Sequence, residues 1–374
     1  MSLWIMDGNE AIARAAVMSG CRFFAGYPIT PATTIFNSML TLLPPAGGVC
    51  LQGEDEIASI GFCLGAAMTG LKVMTATSGP GISLYSEQIS FAIGSQIPIV
   101  IVDVQRLGPS TGSATKGADG DIQFLRWGNS GGLPVIVLAP TDVADCYELT
   151  FQAFNLAEVY RCPVFIATNK EIAMTRETLD IEALHLPPTV DRRPAVPDNG
   201  QQLPYELDVE PSAPRFMPIG GGQLMRVTSS THGPDGYITG DPAMIARMQD
   251  RLRHKLEHHV DRFTYCSLEA PRGADTLVIA YGVTARAART AVETACKAGN
   301  PTALLVLKTL WPVPEQMIRA AAGQYRRIVV VEMNLGQYIR EIERLLPDKP
   351  VRLLGQMNGE LINPGQILEV IQNG

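Results

Sequence analysis

The amino-acid sequence predicts an α/β protein that pairs a doubly wound parallel sheet with a second, smaller α/β domain. Continuous apolar runs rich in β-branched residues recur at strand length, as in PIVIVDVQ at 98–105 and PVIVLAP at 134–140. Such runs are typical of strands covered on both faces. Helical patterns separate them, and this alternation predicts repeated strand–helix–strand units.

The elements predicted for residues 1–180 follow from local start and stop signals. A helix begins after Asp7 in DGNEAIARAAVMSG and ends at Gly20. The remaining elements are a strand at CRFFAGYP, a helix at EIASIGFCLGAAMTG, strands at KVMTATSGPG, PIVIVDVQ and PVIVLAP, a helix at TDVADCYELTFQAFNLAEVY and a strand at PVFIATN. Gly61 and Gly65 lie four residues apart in the second helix, which favours close packing of that helix against another element.

Residues 181–265 interrupt this pattern. Up to about residue 241 they are dense in Pro, Gly and polar residues, which is typical of a disordered linker or of an arm that wraps a neighbour. Tyr205, Phe216 and Met217 give this stretch surface to bury, which favours the arm. A charged helix is predicted next. Its His254 and His258 are four residues apart, but the Arg, Lys and Glu content favours a solvated face over a metal site.

The sequence pattern of residues 266–374 predicts a compact second domain. Its elements are a strand at ADTLVIAYG, a helix at TARAARTAVETACKAG, a strand at PTALLVLKTLWP, a helix at PEQMIRAAAGQY, a strand at RRIVVVEMN and a helix at GQYIREIERLL. Pro312 closes the second of these strands. The sequence thus predicts three segments: a first domain at 1–180, a Pro/Gly-rich arm and helix at 181–265, and a second domain at 266–374.

Composition excludes several classes of protein. A formal net charge of −7 argues against a nucleic-acid surface. The apolar runs fall short of the ~20 residues that span a bilayer, and the N-terminus lacks signal-peptide features, so we expect a cytoplasmic protein without a membrane partner. The 7 cysteines are scattered without a CxxC motif, which predicts reduced core thiols and no metal or iron–sulfur site on this chain.

Ligands of open parallel sheets bind beyond the carboxyl ends of the strands. The segments expected there are YPITP at 27–31, GEDEIA at 53–58, TSGPG at 77–81 and QRLGPSTG at 105–112. TSGPG lacks the spacing of a phosphate-binding loop. The other three carry the side chains that could take part in chemistry.

Two side chains in these segments are candidates. Glu56 leads directly into an apolar helix, so its carboxyl would be desolvated and tend toward the protonated state. Its neighbours Glu54 and Asp55 suit the helix dipole instead. Arg106 lies at a strand end, where it is either a surface residue or, with the Thr30 and Thr111 hydroxyls, a fork for a carboxylate.

Together these segments resemble the α subunit of 2-oxoacid:ferredoxin oxidoreductases, and the 2-oxoglutarate type most. The resemblance rests on GNEAIARAAVMSGCRFFAGYPITP, EDEIASIGFCLGAAMTG, TATSGPG, VDVQRLGPSTG and VVEMNLGQ, and it covers nearly the whole chain. It implies a thiamine pyrimidine-binding domain followed by a transketolase C-terminal-like domain, in which EMNLGQ at 332–337 is a recurring loop. The implied reaction is the reversible oxidative decarboxylation of 2-oxoglutarate with CoA to succinyl-CoA, CO₂ and reduced ferredoxin.

The resemblance also assigns a cofactor site. Glu56 matches the family glutamate that hydrogen-bonds the aminopyrimidine ring of thiamine diphosphate, where a proton-sharing carboxyl activates the cofactor. The turn at 27–31 would form one wall of the pyrimidine pocket. The implied cofactor-binding residues are Tyr27, Pro28, Ile29 and Glu56.

Substrate positions are implied in the same way. Arg106 and Thr30 match the residues that grip the carboxylate and carbonyl of the 2-oxoacid, and both are counted with Glu56 as catalytic. Thr111 matches a further hydroxyl near the substrate. Lys116, on the adjacent loop, is hypothesised to select a distal carboxylate. Close relatives read about RWGTHGD where this chain has RWGNSGG at 126–132, a change at the substrate end of the pocket.

The chain carries only part of the machinery that the resemblance implies. Thiamine enzymes hold Mg²⁺ and diphosphate with a Gly-Asp-Gly motif and a later Asn pair, and neither is found here. A β subunit would therefore supply Mg²⁺, the diphosphate cleft and an iron–sulfur cluster in an (αβ)₂ assembly, with CoA as co-substrate and ferredoxin as partner. Pyruvate or branched-chain 2-oxoacids are alternative substrates, and a non-catalytic scaffold subunit is the alternative role.

Overall fold

The computed structural model describes residues 3–184, 186–195, 203–207 and 213–373. Its strands are β1 (Leu3–Asp7), β2 (Cys21–Gly26), β3 (Val49–Gln52), β4 (Lys72–Thr77), β5 (Ile99–Gln105), β6 (Ile136–Leu138), β7 (Pro163–Asn169), β8 (Arg176–Asp180), β9 (Cys266–Glu269), β10 (Thr276–Tyr281), β11 (Thr302–Leu307), β12 (Thr309–Trp311), β13 (Arg327–Glu332) and β14 (Val351–Gly355). Its α-helices are α1 (Gly8–Met18), α2 (Thr33–Leu42), α3 (Glu56–Met68), α4 (Pro80–Leu84), α5 (Ser86–Gly94), α6 (Ile122–Trp127), α7 (Val143–Tyr160), α8 (Lys170–Met174), α9 (Pro242–Glu257), α10 (Thr284–Lys297), α11 (Glu315–Ala322), α12 (Ile339–Leu345) and α13 (Pro364–Asn373).

The first sheet has 7 strands in the order β12-β6-β7-β5-β4-β2-β3. Its strands are parallel except β12, which runs antiparallel to β6. Every residue of β4, β5 and β7 is buried, because separate hydrophobic clusters cover the two faces. The predicted doubly wound parallel sheet is confirmed.

The second sheet has 5 strands in the order β14-β13-β10-β11-β9, with only β9 antiparallel within the described chain. One prediction here is wrong. PTALLVLKTLWP is not one strand, because β11 belongs to this sheet and β12 to the first. The chain changes sheets at Lys308, whose ammonium pairs with Asp145 of the first domain. Thr309 then fixes β12 by donating to the Phe263 carbonyl and accepting from the Tyr265 amide.

Some elements had no local signal. Helix α2 starts without a capping side chain, so the usual mark of a helix beginning is missing. Strands β1 and β8 pair with each other although they lie far apart in the chain. The expected close packing is found at Gly61, where a Cβ would lie 3.3 Å from the Gln88 side chain of α5, but not at Gly65, where a Cβ would meet nothing within 4 Å among the described residues.

The described part of the Pro/Gly-rich stretch packs on its own chain. Tyr205, Phe216 and Met217 are buried, as the arm prediction requires. Arg192 anchors the stretch through a buried ion pair with Glu158 of α7 at 2.6 Å and through bonds to the Ala67 and Leu71 carbonyls. These described residues pack on their own chain, and the wrapping of a neighbouring chain stays a prediction.

Helix α9 is charged, as predicted, but one of its faces is buried. Lys255 lies on that face and donates to the Gln96 side chain and to the Arg161 carbonyl, each at 3.3 Å, and burial lowers its pKa to about 7. His254 and His258 stack outside the core with ring centroids 4.5 Å apart. Among the residues described, no helix is long and apolar enough to cross a membrane.

Candidate active site

The carboxyl edge of the first sheet brings the predicted segments together. Strands β5, β4 and β2 are consecutive in the first sheet. The loops that follow them therefore meet at one edge of the sheet. Arg106, directly after β5, donates from Nη1 to the carbonyl oxygen of Thr30 at 2.6 Å. This bond joins the end of β5 to the turn after β2.

The turn at 27–31 is held from behind and open in front. The buried Asn9 side chain at the start of α1 donates to the Pro31 carbonyl at 2.9 Å and to the Thr34 hydroxyl at 2.5 Å. On the outer side, Tyr27, Pro28 and Thr30 are exposed and Ile29 is half-buried. The turn therefore presents a preformed wall to a molecule outside the described chain.

Glu56 is the first residue of α3, and the sequence sets that start. Asp55 has extended backbone and its side chain accepts from the Ala58 amide at 2.7 Å, which is an N-cap. The Glu56 side chain is only 8% exposed. A Cβ added to Gly81 of α4 would lie 1.9 Å from the Thr77 hydroxyl and 2.9 Å from Glu56 Oε1. Only glycine therefore allows α4 to pack so close to the Glu56 carboxyl.

Gly81→Ala tests this close packing. The added methyl group overlaps the Thr77 hydroxyl, so we expect a loss of about 1–3 kcal/mol in the free energy of unfolding, as for other overpacked sites. Urea denaturation of the purified chain measures it. Gly65→Ala is the matched control, since a Cβ there meets nothing within 4 Å in the described chain. Equal stability of the two variants would contradict the close packing at Glu56.

Arg106 is a buried cation with unused hydrogen-bonding capacity. Its side chain is 5% exposed, and its Nε has no hydrogen-bond partner among the described residues. Burial lowers the pKa of the guanidinium, while the nearby carboxyls of Asp121 and Glu56 favour its charged form. A buried guanidinium with a free donor suits a carboxylate ligand, which forms charge-assisted hydrogen bonds with it.

The other predicted substrate residues do not form the predicted carboxylate fork with Arg106 in the described chain. Arg106 contacts the carbonyl of Thr30, not its hydroxyl. Thr111 is exposed on a loop closed by the bond from the Leu107 amide to the Lys116 carbonyl at 2.8 Å. Lys116 packs its stem against the second domain, where a Cβ on Gly359 would lie 2.9 Å from the Lys116 Cβ. No described hydrogen bond joins Arg106 to Thr111 or Lys116.

The sequence prediction missed three acids at this edge: Asp103, Asp119 and Asp121. Asp103 lies inside β5 with no exposed surface. Burial raises the pKa of Asp119 to about 7 and that of Asp121 to about 6. A carboxylate within the apolar run VIVDV is the signal that could have identified the first of them.

The EMNLGQ loop lies beside these acids and joins the two domains. Asn334 donates to the Asp119 carbonyl at 2.9 Å, and Gln337 donates to the Gly120 carbonyl. Glu332 accepts from the Tyr338 amide at 2.8 Å, which holds the loop in shape. A motif of the second domain thus supports the loop that follows Arg106.

Two family models match the chain. Residues 14–250 match "Pyruvate flavodoxin/ferredoxin oxidoreductase, thiamine diP-bdg", and residues 274–367 match "Pyruvate:ferredoxin oxidoreductase core domain II". The first match contains Glu56 and Arg106, and the second contains the EMNLGQ loop.

Individual proteins are similar over the full length. "2-oxoglutarate synthase subunit KorA" of Methanothermobacter thermautotrophicus is 40% identical over 98% of each chain. "Ketoisovalerate oxidoreductase subunit VorB" of the same organism is 33% identical, over 100% of this chain and 98% of its own. A solved structure of 2-oxoglutarate:ferredoxin oxidoreductase from Magnetococcus marinus with 2-oxoglutarate, coenzyme A and succinyl-CoA bound has a TM-score of 0.93 at 32% identity, covering 99% of this chain and 65% of that one. The chain belongs to the 2-oxoacid:ferredoxin oxidoreductase family, among the α subunits of the 2-oxoglutarate type.

Proposed function

We propose that this chain is the α subunit of a thiamine diphosphate-dependent 2-oxoglutarate:ferredoxin oxidoreductase. The reaction is the reversible oxidative decarboxylation of 2-oxoglutarate with CoA to succinyl-CoA, CO₂ and reduced ferredoxin. The observation that carries the proposal is the placement of a buried carboxyl, Glu56, and a buried, incompletely paired guanidinium, Arg106, at one edge of the sheet. Full-length relatives named for 2-oxoglutarate support this substrate.

The residues at this edge fit the pyrimidine end of thiamine diphosphate. The close approach of α4 at Gly81 holds the Glu56 carboxyl beside Thr77, and Tyr27, Pro28 and Ile29 form a wall that faces outward. When bound, thiamine diphosphate supplies the electron sink for cleavage of the bond to the carboxylate. The Glu56 carboxyl would hydrogen-bond the aminopyrimidine ring and take part in proton transfer there.

Arg106 binds the substrate in this proposal. Its free Nε and its second terminal nitrogen offer hydrogen bonds to the carboxylate of a 2-oxoacid, and its burial strengthens that attraction. The bond to the Thr30 carbonyl orients the guanidinium. The Thr30 and Thr111 hydroxyls are the candidate partners of the rest of the reacting group.

A β subunit completes the site. It would bring Mg²⁺, the diphosphate cleft and an iron–sulfur cluster, in an (αβ)₂ assembly that passes electrons to ferredoxin. The exposed Tyr27 and Pro28, together with the apolar Ile57 and Phe62 exposed on α3 at 47% each, support a covering partner. We assign pyrimidine binding to 1–180 and the transketolase C-terminal-like role to 266–374, joined by 181–265. The 7 free cysteines agree with a cytoplasmic location.

A substrate comparison in the complex with the β subunit tests this function. We expect the highest kcat/KM for 2-oxoglutarate among 2-oxoglutarate, pyruvate and 2-oxoisovalerate, all with CoA. A preference for 2-oxoisovalerate would favour the branched-chain alternative, which the relative named VorB keeps open. A complex inactive on all of them would favour the scaffold role.

Lys116→Ala tests how the substrate is selected. Because the ammonium is proposed to bind the distal carboxylate that pyruvate lacks, the KM for 2-oxoglutarate should rise about 10- to 150-fold, the value of one charge-assisted contact, while the KM for pyruvate stays constant. Lys297→Ala is the control, because Lys297 is a lysine 81% exposed in the second domain. An equal rise for both substrates would count against the role of Lys116.

A further inference from the structure

On the core side of Arg106, the sheet edge buries polar atoms that the chemistry above does not use. Both carboxyl oxygens of Asp103, one of Asp121 and the Nε of Arg106 lack a hydrogen bond of standard geometry in the described part of the chain, although the Gly79 amide lies close enough to lower the pKa of the Asp103 carboxyl. The hydroxyl of Thr77, a residue with no exposed surface, also lacks such a bond, with the Tyr85 hydroxyl nearby. Buried polar groups of folded proteins are normally paired, so this group of unpaired atoms beside a binding residue indicates a function.

The fold brings these side chains together from separate segments. Thr77 of β4 is the register partner of Asp103 in β5, and register partners present their side chains on the same face of a sheet. Gln105 lies on that face too, two residues further on, and it accepts from the Asp121 amide at 2.9 Å. The loop after β5 thus returns over the strand, where the Asp121 carboxyl is close enough to affect both Asp103 and Arg106.

Two carboxyls and one guanidinium therefore share a site with little water. Burial raises the pKa of Asp103 well above its ordinary value, and the Asp121 carboxyl adds to this rise. Burial raises the pKa of Asp121 to about 6, against the opposing effect of Arg106. Two carboxyls in one dry site cannot both ionise without a large cost. Asp103 therefore keeps its proton, and Asp121 is the member that titrates.

Apart from Arg106, the described charged groups that act on Asp103, Asp121 and their neighbours are also acids. Asp119 of the same loop raises the pKa of Asp103, and Glu332 of the second domain faces Asp119 in turn. Glu56 of α3 is close enough to favour the charged form of Arg106. Arg106 is thus the cation that balances these carboxyls, so its neighbours respond to any anion that binds it.

We propose that Asp121, with the protonated Asp103 beside it, is a positioning residue that balances the charge of Arg106 until the 2-oxoacid arrives. The substrate carboxylate then becomes the partner of the guanidinium, and the Asp103–Asp121 pair takes up one proton from solvent. One anion enters and one proton follows, so charge balances and no covalent bond changes. The inference rests on the proposed role of Arg106 in substrate binding.

The test is the pH dependence of the KM for 2-oxoglutarate in the complex with the β subunit. Above about pH 6 Asp121 is ionised in the free enzyme, so binding requires a proton and the KM rises with pH, by at most about tenfold per unit. Asp121→Asn removes both the titration and the counter-charge. We expect its KM to rise much less than the wild-type KM between about pH 6 and 8, with only the titration of Asp119, whose pKa is about 7, still contributing, and to fall several-fold below the wild-type KM at the upper end, while the pH profile of kcat is kept.

Controls separate this inference from the function on which it rests. Glu54→Gln removes an exposed carboxylate from the same edge and should keep the wild-type rise in KM. A flat wild-type KM, which can be measured even if Asp121→Asn does not fold, or an undiminished rise in Asp121→Asn, overturns the inference alone. A wild-type KM at every pH in Arg106→Gln would instead overturn the proposed substrate role of Arg106.

Discussion

Glu56→Gln in the complex with the β subunit is expected to slow proton exchange at the reactive carbon of thiamine diphosphate by about 10²- to 10⁴-fold, the usual value of a positioned acid or base. Glutamine has nearly the same shape, but its amide cannot exchange a proton with the aminopyrimidine ring. Cofactor binding should change far less than the exchange rate. Hydrogen–deuterium exchange of the bound cofactor, followed by NMR after acid quench, measures the effect directly.

Glu54→Gln is the matched control for this experiment. It makes the same chemical change two residues earlier, at a side chain exposed to solvent, and the exchange rate should remain at the wild-type value. If Glu56→Gln also kept that rate and full turnover, Glu56 would have no part in activation, and the scaffold role of this subunit would gain support.

Arg106→Gln is expected to raise the KM for 2-oxoglutarate by about 10- to 1000-fold. The substitution removes charge-assisted hydrogen bonds worth about 1.5–3 kcal/mol each, and every 1.4 kcal/mol is about tenfold in affinity. Because this contact is made before the reaction, the KM should change more than kcat. Steady-state kinetics with saturating CoA and ferredoxin separates the two quantities.

Two further variants show whether the effect is local. Arg106→Lys keeps the charge but loses the planar fork, so it should recover only part of the affinity. Arg14→Gln removes an arginine of α1 that is 27% exposed and paired with Glu10, and it should leave the KM unchanged. An Arg106→Gln enzyme with wild-type KM would show that another group binds the substrate carboxylate.

Much of this fold could be predicted because its strands are continuous buried runs. The strand of residues 99–105 was predicted because its residues are nearly all apolar, and its ends follow from the flanking Pro98 and Arg106. The turn at 27–31, Glu56 and Arg106 were recognisable because each follows or begins such an element. The split of 302–311 between two sheets was missed, because Lys308 looks like an ordinary strand residue until Asp145 is placed beside it.

The acids beside Arg106 show the same limit of prediction from local sequence. Asp103 is visible in the sequence as a charge within an apolar strand, but its meaning depends on Asp121, 18 residues later, which a side-chain contact with Gln105 returns to the strand. A contact between residues this far apart leaves no periodic pattern in the sequence from which it could be predicted.

The amino-acid sequence alone determined the α/β class, most of the strands and helices, and the residues at the strand ends, because burial pattern, capping and turn residues act over a few neighbouring positions. Only the tertiary structure decided that β12 crosses into the first sheet, that the described part of the Pro/Gly-rich stretch packs on its own chain and that Arg106 bonds the Thr30 carbonyl. Those features depend on hydrogen bonds, ion pairs and burial between residues that are far apart in the chain. Such contacts stabilise the protein only after folding has brought the partners together.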